Sequence, residues 1–457
     1  MSSTGSSEIS LQERVRVLVE AGDAAGLAKA AVDLHPSDVA DLLEALPSDD
    51  ERIALLRALP ADVASEALTE MEGAEHRGDL LAALDPERGA ELLQELADDD
   101  AVDLIAELEP EEARAILAAL PLREAGELRG LLRYDEESAG GLMTTELVSV
   151  GGHLTTAEAI REIRLRGREV EDFYTVFVVD RAGVLIGAVP LDELILAEPD
   201  TPVAEVAEPF PVTLLPHVDQ EEVGKILSRY NLVSVPVCDE GGRLLGRITF
   251  DDVIDVLEAE QTEDILRLAG VSDEEEVRAG WRDAVRSRLP WLCLNLLTAG
   301  AGASIVVFFA ATIEQLWYVA AIMPIVAGLG GNSGTQALAV TVRRIAVTHG
   351  LLEKRSDAVG KELLVGLTNG VTLGLLAAAV AWVAVLVSPD LDPGLPFVVL
   401  LAMWGNVVVG GFAGAFIPTV LDRAGIDPAV ASSMFVTAFT DLVGFFLLLG
   451  LASAVLL

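Results

Sequence analysis

The spacing of apolar positions changes twice along this chain. In the first quarter they come as short amphipathic runs, such as Val39-Ala40-Asp41-Leu42-Leu43 and Ala90-Glu91-Leu92-Leu93, separated by Pro36, Pro47, Pro60, Gly73, Pro86, Asp98, Pro110 and Pro121. The breaks recur about every 12 residues, so a unit of about 24 residues holding two short helices repeats, the pattern of an α-solenoid. It predicts an acidic helical superhelix over residues 11–133. From residue 134 the pattern shifts to apolar runs short enough for strands, and the segment repeats itself at an offset of 59 residues. Asp180-Arg181-Ala182-Gly183-Val184-Leu185-Ile186-Gly187 aligns with Asp239-Glu240-Gly241-Gly242-Arg243-Leu244-Leu245-Gly246. Each copy reads helix, strand, glycine turn, strand, helix, over about residues 140–200 and 206–257.

Beyond residue 280 the apolar runs lengthen into five stretches, 289–311, 315–342, 363–388, 394–421 and 429–457, each longer than the roughly 20 residues that cross a bilayer as a helix. An all-α transmembrane domain of five helices over residues 281–457 is expected, joined to the α/β pair by a connecting helix over 258–280. Arg282, Arg286, Arg288, Arg343, Arg344, Lys354, Arg355, Lys361 and Arg423 flank the spans on one side, and the connections on the other side carry no Lys or Arg. That asymmetry places the N-terminus in the cytoplasm and the C-terminus outside, in a multi-pass cell-membrane protein.

Charge divides the chain the same way. The whole carries −42, of which residues 1–280 hold −41 and residues 281–457 only −1. So acidic a soluble half repels nucleic acid and anionic lipid and attracts divalent cations, although an acidic, salt-adapted cytoplasm would favour the same total. Two cysteines, Cys238 and Cys293, give neither a disulfide framework nor a zinc site. The opening residues MSSTGSSEIS have no basic and apolar leader pattern, so no cleaved signal is expected.

Three features carry chemistry. Asp441 is the single ionisable residue inside the five apolar stretches, and a carboxylate at that depth marks an ion or proton pathway. The second stretch holds Pro324 and then Gly330-Gly331-Asn332-Ser333-Gly334-Thr335-Gln336, which predicts backbone opened at membrane depth along a wet cavity. Acid clusters form the third. Asp251, Asp255 and Glu258 fall on one helical stripe with Glu263 further on, and Asp99 and Asp103 share a face in the superhelix. Like charges so placed destabilise a helix unless neutralised, and oxygen-only ligands suit Mg²⁺ or Ca²⁺.

The duplicated segment resembles a tandem CBS pair. In such modules a Gly-x-hydrophobic-Thr-x-x-Asp pattern holds a nucleotide's ribose and phosphates; the second copy has it, ending in Thr249 and Asp252, whereas the first has Pro190 and Glu193 instead. Together with the superhelix, the linking run Tyr134-Asp135-Glu136-Glu137-Ser138-Ala139-Gly140-Gly141-Leu142-Met143, the GGNSGTQ motif and Asp427-Pro428-Ala429 before Asp441, the chain resembles the MgtE family of magnesium transporters and channels. The resemblance implies a homodimer in a lipid bilayer with a pore between two membrane domains. Asp441 would face Mg²⁺ there, with Thr437, Asn332 and Asn406 as neutral oxygen ligands. It also implies regulatory Mg²⁺ at Asp99, Asp103, Asp251, Asp255, Glu258 and Glu263, closing the pore through the connecting "plug" helix, with ATP or another adenine nucleotide as a ligand of the CBS pair. Where some relatives have a proline early in the last span, this chain reads Ser432-Ser433-Met434.

The function expected is passive, Mg²⁺-gated Mg²⁺ uptake. A Co²⁺ or Mn²⁺ carrier and a membrane-anchored CBS sensor without transport are the alternatives. An intramembrane enzyme is disfavoured, because all five histidines lie outside the spans and each chain supplies one membrane aspartate.

Overall fold

Proline and acidic residues at the sequence breaks become helix starts. The computed structural model describes residues 15, 17–18, 21, 23–31, 34–71, 74–166, 170, 173–271, 281–347, 356–424, 426–428 and 432–457, and it divides into two units, residues 1–259 and 260–457. The first unit begins with helices α1 (Ala24–Ala31), α2 (Pro36–Ala45), α3 (Asp49–Ala58), α4 (Ala61–Thr69), α5 (Ala74–Ala82), α6 (Pro86–Leu93), α7 (Asp98–Ala106), α8 (Pro110–Ala119) and α9 (Leu122–Leu131). Pro36, Pro86 and Pro110 stand in the first turn, where a missing N–H leaves no intrahelical bond unmade. Asp49, Asp50 and Glu51, and Asp98, Asp99 and Asp100, load the first turns of α3 and α7, where the helix dipole favours negative charge.

Each of these helices packs chiefly on the one two places along, odd on odd and even on even. The reason is a ladder of side chains. Leu43, Leu55, Leu68, Leu80, Leu92, Leu104, Ile116 and Leu128 recur every 12 or 13 residues and none is more than 5% exposed, so each repeat buries its apolar face on its neighbours. The superhelix is as expected; the start proposed for it at residue 11 lies outside the described residues.

The duplication gives two unequal halves. In the first, β1 (Ser149–Gly151) runs parallel to β2 (Thr175–Val179), which pairs antiparallel with β3 (Leu185–Pro190). Helices α10 (Thr156–Arg166), α11 (Leu191–Leu196) and α12 (Val203–Val206) accompany this sheet. In the second, α13 (Gln220–Tyr230) precedes the antiparallel pair β4 (Ser234–Cys238) and β5 (Leu244–Thr249), which leads into α14 (Phe250–Ala269). The turns of the two copies match atom for atom: Asp180 Oδ1 accepts from the N–H groups of Ala182 and Val184, and Asp239 Oδ1 from those of Gly241 and Arg243. Gly183 and Gly242 follow at φ +82° and +77°, a backbone that side chains other than glycine's rarely tolerate. Their cores differ. The first copy buries Val150, Val176, Val178 and Leu194 in a cluster of its own, while Val223, Val235, Ile248 and Val253 of the second share one continuous core with the superhelix.

Helix α14 is continuous with the acidic stripe and stops at Ala269. Gly270, at φ +76°, donates its N–H to the Arg267 carbonyl, and Val271 donates to that of Leu266, a glycine cap. The helix expected over 258–280 is therefore realised as far as Ala269; residues 272–280 lie outside the described residues.

The second unit consists mainly of five long helices: α15 (Trp281–Phe308), α17 (Val319–Val347), α18 (Ser356–Val387), α19 (Leu395–Arg423) and α20 (Ser432–Val455), with the short α16 (Ala310–Gln315) after the first. Four of them are long and apolar enough to cross a membrane. Helix α17 has 29 residues, ample length, but its glycines and amides dilute its apolarity below that of the others. The backbone opening expected in α17 is not found, because it remains helical through Pro324 and the whole GGNSGTQ run. Packing explains this. A side chain on Gly410 would strike the Gly330 carbonyl, and one on Gly414 the Gly334 carbonyl, so glycines four apart on α17 and α19 let the two backbones touch.

Gly410→Ala should lower the unfolding midpoint in detergent, through a loss of about 1–3 kcal/mol from the overpacked contact. Gly300→Ala, where nothing lies within 4 Å of the added methyl, should leave it unchanged or slightly raised. Thermal unfolding of the two purified variants checks both.

Candidate functional site

In the first unit a clasp brings two acidic helix ends together. Asp98, the first residue of α7, accepts hydrogen bonds from Thr144 Oγ1 at 2.6 Å and Thr145 N at 2.9 Å, and also from Thr145 Oγ1. Thr144 in turn exchanges backbone hydrogen bonds with Arg247 of β5, both at 2.9 Å. The next element is the N-terminus of α14, so Asp99 and Asp100 come to line one cavity of about 390 Å³ with Asp251, Asp252 and Arg247.

The electrostatics of that cavity are one-sided. Burial, reinforced by the charges of Asp252, Asp100 and Asp98, holds the Asp99 carboxyl well above the ordinary carboxylate range. Asp100 is pushed up to about 6 by burial and then by Asp252 and Asp251, against the pull of Arg77. Asp103, one turn further along α7, reaches about 7 through burial and Asp100, again opposed by Arg77. Asp252 and Asp255 are raised too, by burial first, with Glu70, Glu258 and Asp251 adding to Asp255. Asp99 Oδ1 is buried and has no hydrogen-bond partner among the described residues. A buried, unsatisfied carboxylate oxygen among other carboxylates is what a hard cation relieves, although no three of the described acids converge on a single point as a finished metal site.

The structure thus gathers Asp99, Asp103, Asp251, Asp255 and Glu258 into one electrostatic cluster. It gives Glu263 a different partner: Glu263 is ion-paired with Arg267, whose Nη1 donates to Asp427 Oδ2 at 2.7 Å. Sequence reasoning placed Asp98 and Asp100 in the superhelix acid cluster without counting them as ligands, and it missed Glu70 and the opposing Arg77. Asp100 was visible in the Asp98–Asp100 run, but Glu70 and Arg77 belong to other repeats and carried no local signal. Thr249 and Asp252 cap α14, Thr249 Oγ1 donating to Asp252 Oδ2 at 2.5 Å, and both line the cavity beside Tyr174 and Phe250.

In the second unit Asp441 lies midway along α20, half-buried, with no hydrogen bond or ion pair to any described residue. It faces Gly302 of α15, where an added Cβ would lie 3.9 Å from its own. Thr437, one turn earlier, is exposed and returns its hydroxyl to the Ser433 carbonyl at 2.9 Å. Asn332 is exposed on α17. Asn406 is 0% exposed, wedged against Gly330 and Gly444, and donates Nδ2 to the Val326 carbonyl at 2.9 Å, while its Oδ1 is buried with no hydrogen-bond partner among the described residues. It is a strut between helices, since a small residue on each neighbour leaves room for an amide and nothing else.

Comparison with known proteins covers both units. The family model described as a divalent cation transporter, MgtE, matches residues 323–451; that of the MgtE intracellular N domain matches 34–137, and CBS domains match 139–200 and 203–259. The chain is 35% identical over 453 residues, 98% of each protein, to the magnesium transporter MgtE of Thermus thermophilus. It is 36% identical over 330 residues, 72% of each, to that of Enterococcus faecalis. Among solved structures, a crystal structure of the cytosolic domain of the Mg²⁺ channel MgtE in complex with ATP superposes with a TM-score of 0.51 at 35% identity, covering 54% of this chain and 99% of that one.

A carboxyl whose proton affinity is raised in the folded state stabilises that state below its unfolded value of 3.8 and loses the contribution as pH rises through its folded value, about 6 for Asp100 and about 7 for Asp103. Calorimetry of the full chain in EDTA should therefore show the first unit melting earlier at about pH 8 than at about pH 5. Mg²⁺ should restore the midpoint at the higher pH and do little at the lower, because protons and metal compete for the same oxygens.

Proposed function

Because the chain belongs to the MgtE family of divalent cation transporters, we propose that it is a passive Mg²⁺ channel whose opening is set by cytosolic Mg²⁺. The observation that carries the transport reading is Asp441. A carboxylate kept mid-helix in a membrane-spanning unit, without a partner among the described residues, is tolerated where water and a cation reach it. Two copies related by a two-fold axis bring two such groups together. Mg²⁺ dehydrates reluctantly, so the pair holds it through its water shell, with the Thr437 hydroxyl or carbonyl and the Asn332 amide as neutral acceptors along the same passage.

Regulation resides in the cytosolic acids. With Mg²⁺ scarce, Asp99, Asp100, Asp251, Asp252 and Asp255 repel one another and α7 leaves the start of α14. With Mg²⁺ plentiful, the ion neutralises them and the two helix ends close. Helix α14 continues in sequence from this cluster to the membrane unit and relays the change, so the pore closes when the ion is abundant. Several ions bound together supply the few kcal/mol that such a population switch requires. The acidic half faces the cytoplasm in this reading and the last helix ends outside.

The same cavity favours a second ligand. Tyr174 and Phe250 offer walls for a base, and Thr249 and Asp252 stand where a ribose is held. With four aspartates and one arginine lining it, the cavity admits a nucleotide's phosphates only with a divalent ion, so an adenine nucleotide such as ATP binds as its Mg²⁺ complex.

Asp441→Asn should cut Mg²⁺ flux into liposomes at least about tenfold, the loss of one charge-assisted interaction; flux equal to wild type would sink the pore assignment. The Asp251→Asn, Asp255→Asn double variant should conduct normally and need about tenfold more Mg²⁺ to close. A patch-clamp titration in which closure is unmoved would remove the sensor.

A further inference from the structure

The membrane-spanning unit holds a buried carboxylate that the transport reading does not use. Glu362, near the start of α18, is 7% exposed, and its partner among the described residues is Lys361, with Nζ 3.4 Å from Oε1. Both line a cavity of about 250 Å³, together with Ser333 and Gln336 of α17, Asn369 of α18 and Gly411 of α19. The cavity exists because α19 packs extensively against both α17 and α18, whereas those two scarcely meet. Gly366, Gly370 and Gly374 bring α18 onto the α19 backbone, and a cleft is left beside them. Val340 and Val365 on its two walls are 48% and 40% exposed, so an apolar rim surrounds a polar interior.

Depth narrows the choice of occupant. The apolar part of α18 begins at Val359, which puts Lys361 and Glu362 within the first turn of the span, at head-group level, and Asn369 about 10 Å deeper. A bare divalent ion is a poor match, since one carboxylate faces it and the Lys361 ammonium opposes it. A plain anion is excluded by Glu362, and a hydrocarbon tail would leave the amides and the carboxylate unsatisfied. What satisfies a carboxylate and an ammonium at once is a small zwitterion. We propose that this cleft seats the phosphoethanolamine head group of a membrane lipid. The ligand's primary ammonium donates to Glu362 and to the Gln336 amide oxygen, its phosphate sits against Lys361 at the mouth, and its acyl chains lie over Val340 and Val365. Phosphatidylcholine, whose quaternary nitrogen has no N–H, makes none of the donations.

Native mass spectrometry of the full chain, released from detergent containing equal amounts of phosphatidylethanolamine, phosphatidylcholine and phosphatidylglycerol with matched acyl chains, tests this directly. Wild type should retain phosphatidylethanolamine over phosphatidylcholine by at least about tenfold, the worth of a charge-assisted hydrogen bond. Glu362→Gln should equalise the two, and Val365→Trp, which fills the mouth without touching the carboxylate, should lower retention of phosphatidylethanolamine in a protein that keeps Glu362. Equal retention by wild type, or a preference that survives Glu362→Gln, overturns the proposal. So does soluble phosphoethanolamine held as tightly as the lipid, or an efficient disulfide between two Val365→Cys chains, which would show a second copy covering the cleft.

Discussion

Mutual repulsion among carboxylates is the constraint from which the rest of the first unit follows. Asp99, Asp100, Asp251 and Asp252 line one cavity with a single arginine among them, and no arrangement of their own side chains neutralises them. Asp98 is the exception that makes the crowding possible. By accepting from Thr144 and Thr145 it satisfies its own charge and pins α7 over β5, and each such bond contributes about 1 kcal/mol. The clasp holds the helix ends near each other; the remaining acids push them apart. A fold balanced in this way is sensitive to whatever neutralises those acids, proton or cation.

The membrane unit is governed by an opposite economy, in which close contact replaces charge. Gly330 and Gly334 against Gly410 and Gly414 remove side chains from the α17–α19 crossing, and Asn406 fills the remaining space with a hydrogen bond to Val326. Lipid provides no hydrophobic force to bring helices together, so backbone contact and a buried amide do that work. Asp441 stands apart from this network, which leaves its charge available.

Much of this was legible in the sequence, for physical reasons that also explain what was not. The superhelix could be read because one leucine in every repeat must face the same core. The paired α/β copies could be read because each needs the same aspartate and glycine to turn between its strands. Glycine in α17 was misread for an equally physical reason. The residue that loosens a helix also permits another backbone to approach it, and the choice depends on Gly410 and Gly414, some 80 residues away in sequence. Glu362 was overlooked because the third span was begun at Leu363, just past the charge, whereas the helix itself starts at Ser356. Which acids meet is the least local property of all: Glu70 and Asp255 come from different domains and are brought together only where the superhelix docks on the second copy.

The unequal division of the two CBS cores has one further effect. The first copy buries most of its apolar side chains in a cluster of its own, with Phe177 reaching Phe210 at its edge, while the second is fused with the superhelix into a single interior. Damage to the first copy's own cluster can thus be contained as a local melting event. A cavity cut into the second copy opens onto the same interior as the helical repeats, whereas one cut at Val176 or Val178 of β2 stays within the first copy's own cluster.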